Sequence, residues 1–281
     1  MISACEWVFG RRPFPDVLAV LAAAGYDAIE LAGEPFRDDG ARLAEMIHAA
    51  GLRASGTTAS CNWPTSDRDL ANPERQVRRR AARYYRACVD LAARVGAPVV
   101  GLIPAAVGRV DALSTYEREW RYAVEGVREI ALYAGERGVE LAVEALNRYE
   151  TFLVNRIEQA LDLVAEAGVP GLGVVADAFH MRLEEQDSPA AIEQAGPLLR
   201  ELHLADSNRL GLGHGQLSLE PLLGAAQRVG FAGAFVMEFT APGPNPFKAD
   251  KSPESMELLD RYVRESATAV RAILNRTRPR P

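Results

Sequence analysis

The stretch ERGVELAVEALNRYETFLVNRIEQALDLVAEAGVPGLGVVAD (136–177) holds one full repeat of the chain's organisation. Inside it the apolar runs ELAVEAL (140–146) and LGVVAD (172–177) predict two strands, and 157–167 between them has helical spacing. Each strand follows a small glycine turn, ERGVE (136–140) and EAGVPG (166–171), of the kind that ends a helix in the left-handed region. Two strands joined through a helix imply a parallel pair, because parallel strands need a crossover and a helix supplies it.

The same texture runs outward in both directions. Candidate strands at 2–9, 28–31, 53–59, 98–103, 201–206 and 234–239 join those two. Helical stretches lie near 13–24, 38–50, 72–95, 113–137, 189–199, 219–229 and 253–275, and AAGYD (23–27), AAGLR (49–53), RVGAP (94–98) and RVGFAG (228–233) repeat the glycine punctuation. About eight consecutive βα units closing on themselves predict a single-domain (β/α)8 TIM barrel over 1–275, with a frayed basic tail at 276–281. A length of 281 residues suits one such barrel. A doubly wound open sheet is the alternative, but no GxGxxG follows the first strand.

Composition narrows the function. A net charge of −6 argues against a surface built for nucleic-acid phosphates or anionic membranes. No apolar run reaches the roughly 18 residues that span a bilayer, and no secretory leader pattern begins the chain. The cysteines Cys5, Cys61 and Cys88 are odd in number, widely spaced and without a CxxC, so they are expected to be plain thiols. The expectation is a cytoplasmic protein with neither a nucleic-acid nor a membrane partner.

In a barrel of this type the active groups sit at the C-terminal ends of the strands. The fifth to eighth predicted strands carry Glu144, Asp177, His203 and Glu238 there, each in an otherwise apolar run. A buried unpaired charge costs several kcal/mol, and carboxylates gathered on consecutive strands repel one another unless a cation neutralises them. Oxygen ligands with one imidazole suit one divalent metal ion, Mn²⁺ first, with Co²⁺, Mg²⁺ or Zn²⁺ as alternatives. The bland reading is ordinary carboxylates paired with arginines or capping loops. Around them Arg148, Glu150, His180 and Arg209 are polar groups at the barrel mouth able to grip hydroxyls. The competing reading makes His180 a surface-loop histidine and the two arginines solvated or carboxylate-paired. GLGHGQL (211–217) reads as a structural turn rather than a phosphate cradle, His214 as exposed, and His48 as a helix-surface residue. Trp7, Phe9, Phe36 and Trp63 suit either a sugar's apolar face or the core.

Taken together, VEALNRYE (143–150), DAFHM (177–181), HLADSNR (203–209), GHGQL (213–217) and VMEF (236–239) resemble the xylose-isomerase-like barrel superfamily, and within it the D-tagatose and D-psicose (allulose) 3-epimerases. The resemblance implies that Glu144, Asp177, His203 and Glu238 are metal ligands and that Glu144 and Glu238 are also the acid/base pair. It implies that Glu150, His180 and Arg209 hold substrate oxygens, and it sets Glu34 in a similar acidic loop. The implied activity is ketose 3-epimerisation of a small sugar, by proton transfer between two glutamates through a metal-stabilised enediolate. The early loops ASCNWPTSDRD (59–69) and IPAAVGR (103–109) depart from the pattern and assign no particular sugar. The same constellation serves an aldose–ketose isomerase of the hydroxypyruvate or inosose type. It also serves a dehydratase or a C-glycoside deglycosidase subunit with a small partner chain. A DNA-repair barrel of the endonuclease IV type is disfavoured by four histidines and the acidic charge. A non-catalytic sugar-binding module would not need a carboxylate on both sides of its ligand. By family analogy the chain forms a homo-oligomer, dimer or tetramer.

Overall fold

In the computed structural model of the chain, β1 (Ile2–Ala4), β2 (Ala28–Ala32), β3 (Arg53–Ala59), β4 (Val99–Leu102), β5 (Glu140–Glu144), β6 (Leu172–Asp177), β7 (Leu199–Leu204) and β8 (Ala234–Met237) form one sheet. Every paired neighbour is parallel, in the order β1-β8-β7-β6-β5-β4-β3-β2. A parallel bridge between Cys5 and Glu30 joins the two ends, so the sheet closes into the expected barrel. The structure describes all residues except Arg37, Asp38, Ser60, Cys61, Trp63, Ser66, 244–246, Lys248, Ala249 and 278–281. The expectations for Cys61 and Trp63 therefore lie outside the described residues.

The outer layer is α1 (Phe14–Ala23), α2 (Gly40–Ala49), α3 (Arg75–Val95), α4 (Tyr116–Gly135), α5 (Ile157–Ala167), α6 (Ala178–Glu184), α7 (Ser188–Ala195), α8 (Leu219–Arg228) and α9 (Pro253–Thr277). Helix α3 shows why these segments pack as they do. Val77, Ala81, Tyr84, Cys88, Leu91 and Val95 recur at helical spacing and are buried, while the arginines between them face outward. The six punctuating glycines, at 25, 51, 96, 138, 168 and 230, all adopt φ between 62° and 77°. Main-chain reversal there needs the left-handed region, which glycine enters without a Cβ clash. Among the described residues no helix is long and apolar enough to cross a membrane.

Two expectations change. The first strand ends at Ala4, and Glu6–Phe9 is a 3-10 turn, which carries Trp7 towards the barrel mouth. The second change is α6, which follows β6 directly where only a loop was expected.

The main core lies between barrel and helices, and Val99, Ala142 and Val175 form a separate small cluster inside the barrel. The interior is otherwise unusually polar: Ser3 and Ser55 share a buried hydrogen bond of 2.7 Å, and Glu30, Glu201 and His203 are each 0–1% exposed.

Candidate active site

Glu144 and Asp177 are the last residues of β5 and β6, His203 is the penultimate residue of β7, and Glu238 follows β8. Asp177 pairs with His203 across the sheet, and His203 with Val236, so two-residue alternation turns Glu238 to the same interior face. All four are buried, and their ligand-type atoms lie within 4.8 Å of one another. His203 sits among the carboxylates: its Nδ1 is 3.6 Å from Glu144 Oε1 and 3.4 Å from Glu238 Oε2.

Removing these groups from water has unequal effects. Burial pushes the Glu144 carboxyl well above the usual range, with Glu238, Asp177 and Glu30 adding to the rise and His203 opposing it. Asp177 is raised too, by burial first. Burial also pushes Glu238 up, but the Arg209 guanidinium and then His203 outweigh it and hold the carboxyl at about 2. His203 is lowered by burial, yet the carboxylates of Glu30 and Glu238 carry it well above its usual value. The cluster thus calls for positive charge, from bound protons or from a cation. Neither ring nitrogen of His203 makes an aligned hydrogen bond among the described residues. An orphaned imidazole nitrogen facing carboxylate oxygens is a donor set that fits a divalent cation.

Asp177 is oriented by a second task. Its Oδ1 caps α6, accepting the backbone N–H groups of Phe179 at 2.6 Å and His180 at 3.2 Å. That cap pins the carboxylate and leaves Oδ2 for the cluster. It also sets His180 on the first turn of α6, beside the site rather than in a surface loop. The backbone N–H of Asn147 donates to His180 Nδ1 at 3.2 Å, so the ring proton belongs on Nε2. Burial is the main cause that drops the His180 pKa to about 3. His180 is therefore a neutral ring whose Nε2–H lies 3.7 Å from Asp177 Oδ2; Arg209 Nη1, itself a donor, stands 3.3 Å away and does not pair with that N–H.

Arg209 is held at φ 59°, the one non-glycine residue with positive φ among those described. It is 8% exposed, its Nη2 donates to Glu238 Oε2 at 3.1 Å, and its Nη1 lies 3.7 Å from Glu150. Trp7 Nε1 donates to the other oxygen of Glu238 at 2.9 Å, so that carboxylate is held from two sides. Glu150 is raised by burial, accepts from Asn147 Nδ2 at 3.0 Å, and borders the cluster through Arg209.

Other candidates are placed elsewhere. Arg148 pairs with Glu184 at 2.6 Å, tying the loop after β5 to α6. Glu34 accepts both terminal nitrogens of Arg68, at 2.8 and 2.9 Å. Phe9 is core, Phe36 is exposed, and only Trp7 of the described aromatics named above touches the cluster. His48 is exposed on α2, and His214 pairs with Glu265 at 2.7 Å. In the 211–217 turn, Asp206 accepts the N–H groups of Gly213 and Leu217, both at 2.9 Å, as well as that of Ser207 at 2.6 Å. The turn thus carries its own anion, as a structural loop does. Sequence reasoning missed Asn147, Glu30 and Glu201. The signal for the glutamates was present, since AIEL (28–31) and ELHLAD (201–206) each set a glutamate in an apolar strand.

The family profile described as xylose isomerase-like TIM barrel matches residues 18–262. The D-psicose 3-epimerase of Ruminiclostridium cellulolyticum is 30% identical over 241 residues, covering 83% of this chain and 79% of that protein. The L-ribulose 3-epimerase of a Methylomonas species is 27% identical over 79% of this chain and 76% of its own length. The crystal structure of D-psicose 3-epimerase with D-tagatose from Clostridium cellulolyticum H10 superimposes with a TM-score of 0.84, at 23% identity, over 98% of this chain and 99% of that one.

Proposed function

The chain belongs to the xylose isomerase-like TIM barrel family, and on that premise we propose that it is a divalent-metal-dependent carbohydrate epimerase whose substrate is a small free ketose inverted at C3. One observation carries the reading: Glu144 and Glu238, from strands on different sides of the mouth, converge on the same imidazole inside a buried cluster with a cation's donor set. The epimerase names of the relatives over most of their length support the reaction class.

Glu144, Asp177, His203 and Glu238 would hold the ion, with Mn²⁺ the first choice and Co²⁺ or Mg²⁺ next. When bound, the ion supplies positive charge for the negative charge that develops on substrate oxygens as a C–H proton leaves. The chain's own residues do the rest. One glutamate removes the proton and the other returns one to the opposite face, inverting the centre. The two start from different positions. Trp7 and Arg209 hold both oxygens of Glu238 as a carboxylate, whereas Glu144 lies among the other carboxylates, 3.6 Å from His203 Nδ1. His180 offers Nε2–H to a substrate oxygen, and Arg209 and Glu150 line the same side. Asp206 fills the turn where a phosphate could otherwise lie, which supports an unphosphorylated sugar. A homo-oligomer, dimer or tetramer, belongs to the same proposal by family analogy, and light scattering tests it.

The test is incubation of Mn²⁺-loaded protein with free ketohexoses in D₂O beside a chelated control. Metal-dependent deuterium at C3 with a 3-epimer product is expected. Exchange at C1 with aldose formation would point instead to an isomerase.

A further inference from the structure

Beneath the cluster lies a second set of carboxylates that the proposed reaction does not use. Glu30, in the middle of β2, faces the barrel interior and is 0% exposed. One of its oxygens accepts the Cys5 thiol at 2.5 Å, and the other lies 3.3 Å from His203 Nε2, on the opposite side of the ring from Glu144 and Glu238. A register shift between Ile29 and Glu30 skips Ser55, so that Glu30 lies level with Gly56. Glu201, two residues before His203 on β7, lies lower on the same face and is also 0% exposed. Its carboxylate occupies room that β3 leaves by having Gly56 there, with Gly101 of β4 alongside. A Cβ on Gly56 would stand 2.5 Å from Glu201 Oε1, and one on Gly101 would stand 3.9 Å from Oε2. Barrels of this type normally fill these layers with branched apolar side chains. A column of Glu201, Glu30 and His203 is a costly substitute unless its upper member needs support.

We propose that Glu30 is a positioning residue that fixes the tautomer and the placement of His203. The inference rests on the metal-dependent reading above. A neutral imidazole carries one N–H. The 3.3 Å contact is not an aligned hydrogen bond, so Glu30 acts through its charge: it favours the N–H on Nε2 and leaves the Nδ1 lone pair towards Glu144, Asp177 and Glu238, where a cation would be held. The opposite tautomer sets a ring lone pair against the Glu30 carboxylate. Cys5 secures the far oxygen of Glu30, and the Cys5–Glu30 bridge closes the barrel at the same level. Carboxylate partners of ligating histidines act in this way, and their loss typically weakens metal affinity.

The experiment compares wild type with Glu30→Gln and Glu30→Asp, by chelator competition for Mn²⁺ and by the visible spectrum of the Co²⁺-loaded protein. Melting of the metal-free proteins serves as the control for structure. The expected result is about 10–100-fold weaker Mn²⁺ binding and an altered Co²⁺ spectrum in Glu30→Gln, without a matching fall in metal-free melting temperature. Glu30→Asp keeps the charge and is expected to recover part of the affinity. Should Glu30→Gln not fold, Glu30→Asp decides alone, since its shorter reach still weakens binding relative to wild type. Affinity and spectrum indistinguishable from wild type in the folded variants overturn the inference by itself. A wild-type chain that binds no divalent ion overturns the metal reading and this inference with it.

Discussion

Beyond β3 and β4, Arg109 meets Asp69 of one loop at 3.1 Å and Glu119 of the first turn of α4 at 2.5 Å, with all three side chains 0–2% exposed. At the ends of β5 to β8, Glu144, Asp177 and Glu238 meet the imidazole of His203, the neutral ring of His180 and the edge of Arg209. Both regions bury several carboxylates at the same mouth, yet they neutralise them differently. The early loops supply their own cation, and Glu119 also accepts the backbone N–H of Ser114 at 2.5 Å, so these charges serve to hold the loops together. The late strand ends leave an imidazole nitrogen and carboxylate oxygens facing one another without enough positive charge. Charges matched inside the protein build structure, whereas charges left over wait for a ligand.

The largest effect should come from the late region. Glu144→Gln or Glu238→Gln is expected to cut epimerisation by about 10²–10⁴-fold while melting stays near wild type. Near-normal turnover in either variant would remove the two-glutamate mechanism. The early region should respond in stability instead. Arg109→Met strands two buried carboxylates and is expected to cost about 3–5 kcal/mol in denaturant unfolding. Asp177→Asn in metal-free protein removes one of several like charges and should cost far less, so equal losses would erase the contrast between the regions.

Next in size is the ion itself. At about a hundredfold excess over its dissociation constant, Mn²⁺ should stabilise the chain by about 2.7 kcal/mol, and EDTA should reverse the gain. A melting curve indifferent to both would leave the late cluster without its cation. A comparable effect is expected from pH. His180 titrates near 6.5 when unfolded and at about 3 when folded, so its folded pKa is depressed. As pH falls through that window the unfolded chain gains a proton that the native chain refuses, and stability falls. Between about pH 6.5 and pH 5 the His180 share of this loss is about 1.6 kcal/mol in metal-free protein, read as the change in pH slope between wild type and His180→Asn. A pH slope unchanged by that substitution would contradict a buried neutral imidazole.

The barrel was legible because its signals are local and repeated. Short apolar runs, helical spacing and glycine turns recur along the chain, and each glycine used as punctuation has the backbone angle that the turn requires. Glu144, Asp177, His203 and Glu238 were legible for a related reason, since a polar residue ending an apolar strand stands out against its neighbours. The 3-10 turn at Glu6–Phe9 was hidden because the apolar run Trp7, Val8 and Phe9 continues the apolar texture of a buried strand. Helix α6 was hidden by its length: seven residues hold few repeats, and its start depends on Asp177 acting as a cap. Arg148 and Arg209 look alike in sequence, four residues beyond Glu144 and six beyond His203. Only the fold sends one to Glu184 and the other to Glu238. Glu30 was passed over because strand-end position was the criterion, and its importance comes from the layer below.

The most direct test of the contrast is an anomalous difference map from crystals of the chain soaked in Mn²⁺. One peak bounded by Glu144, Asp177, His203 and Glu238, with none beside Asp69, Arg109 and Glu119, is the expected result. A map without density at the four-residue cluster, from protein soaked well above any physiological Mn²⁺ concentration, would contradict the account.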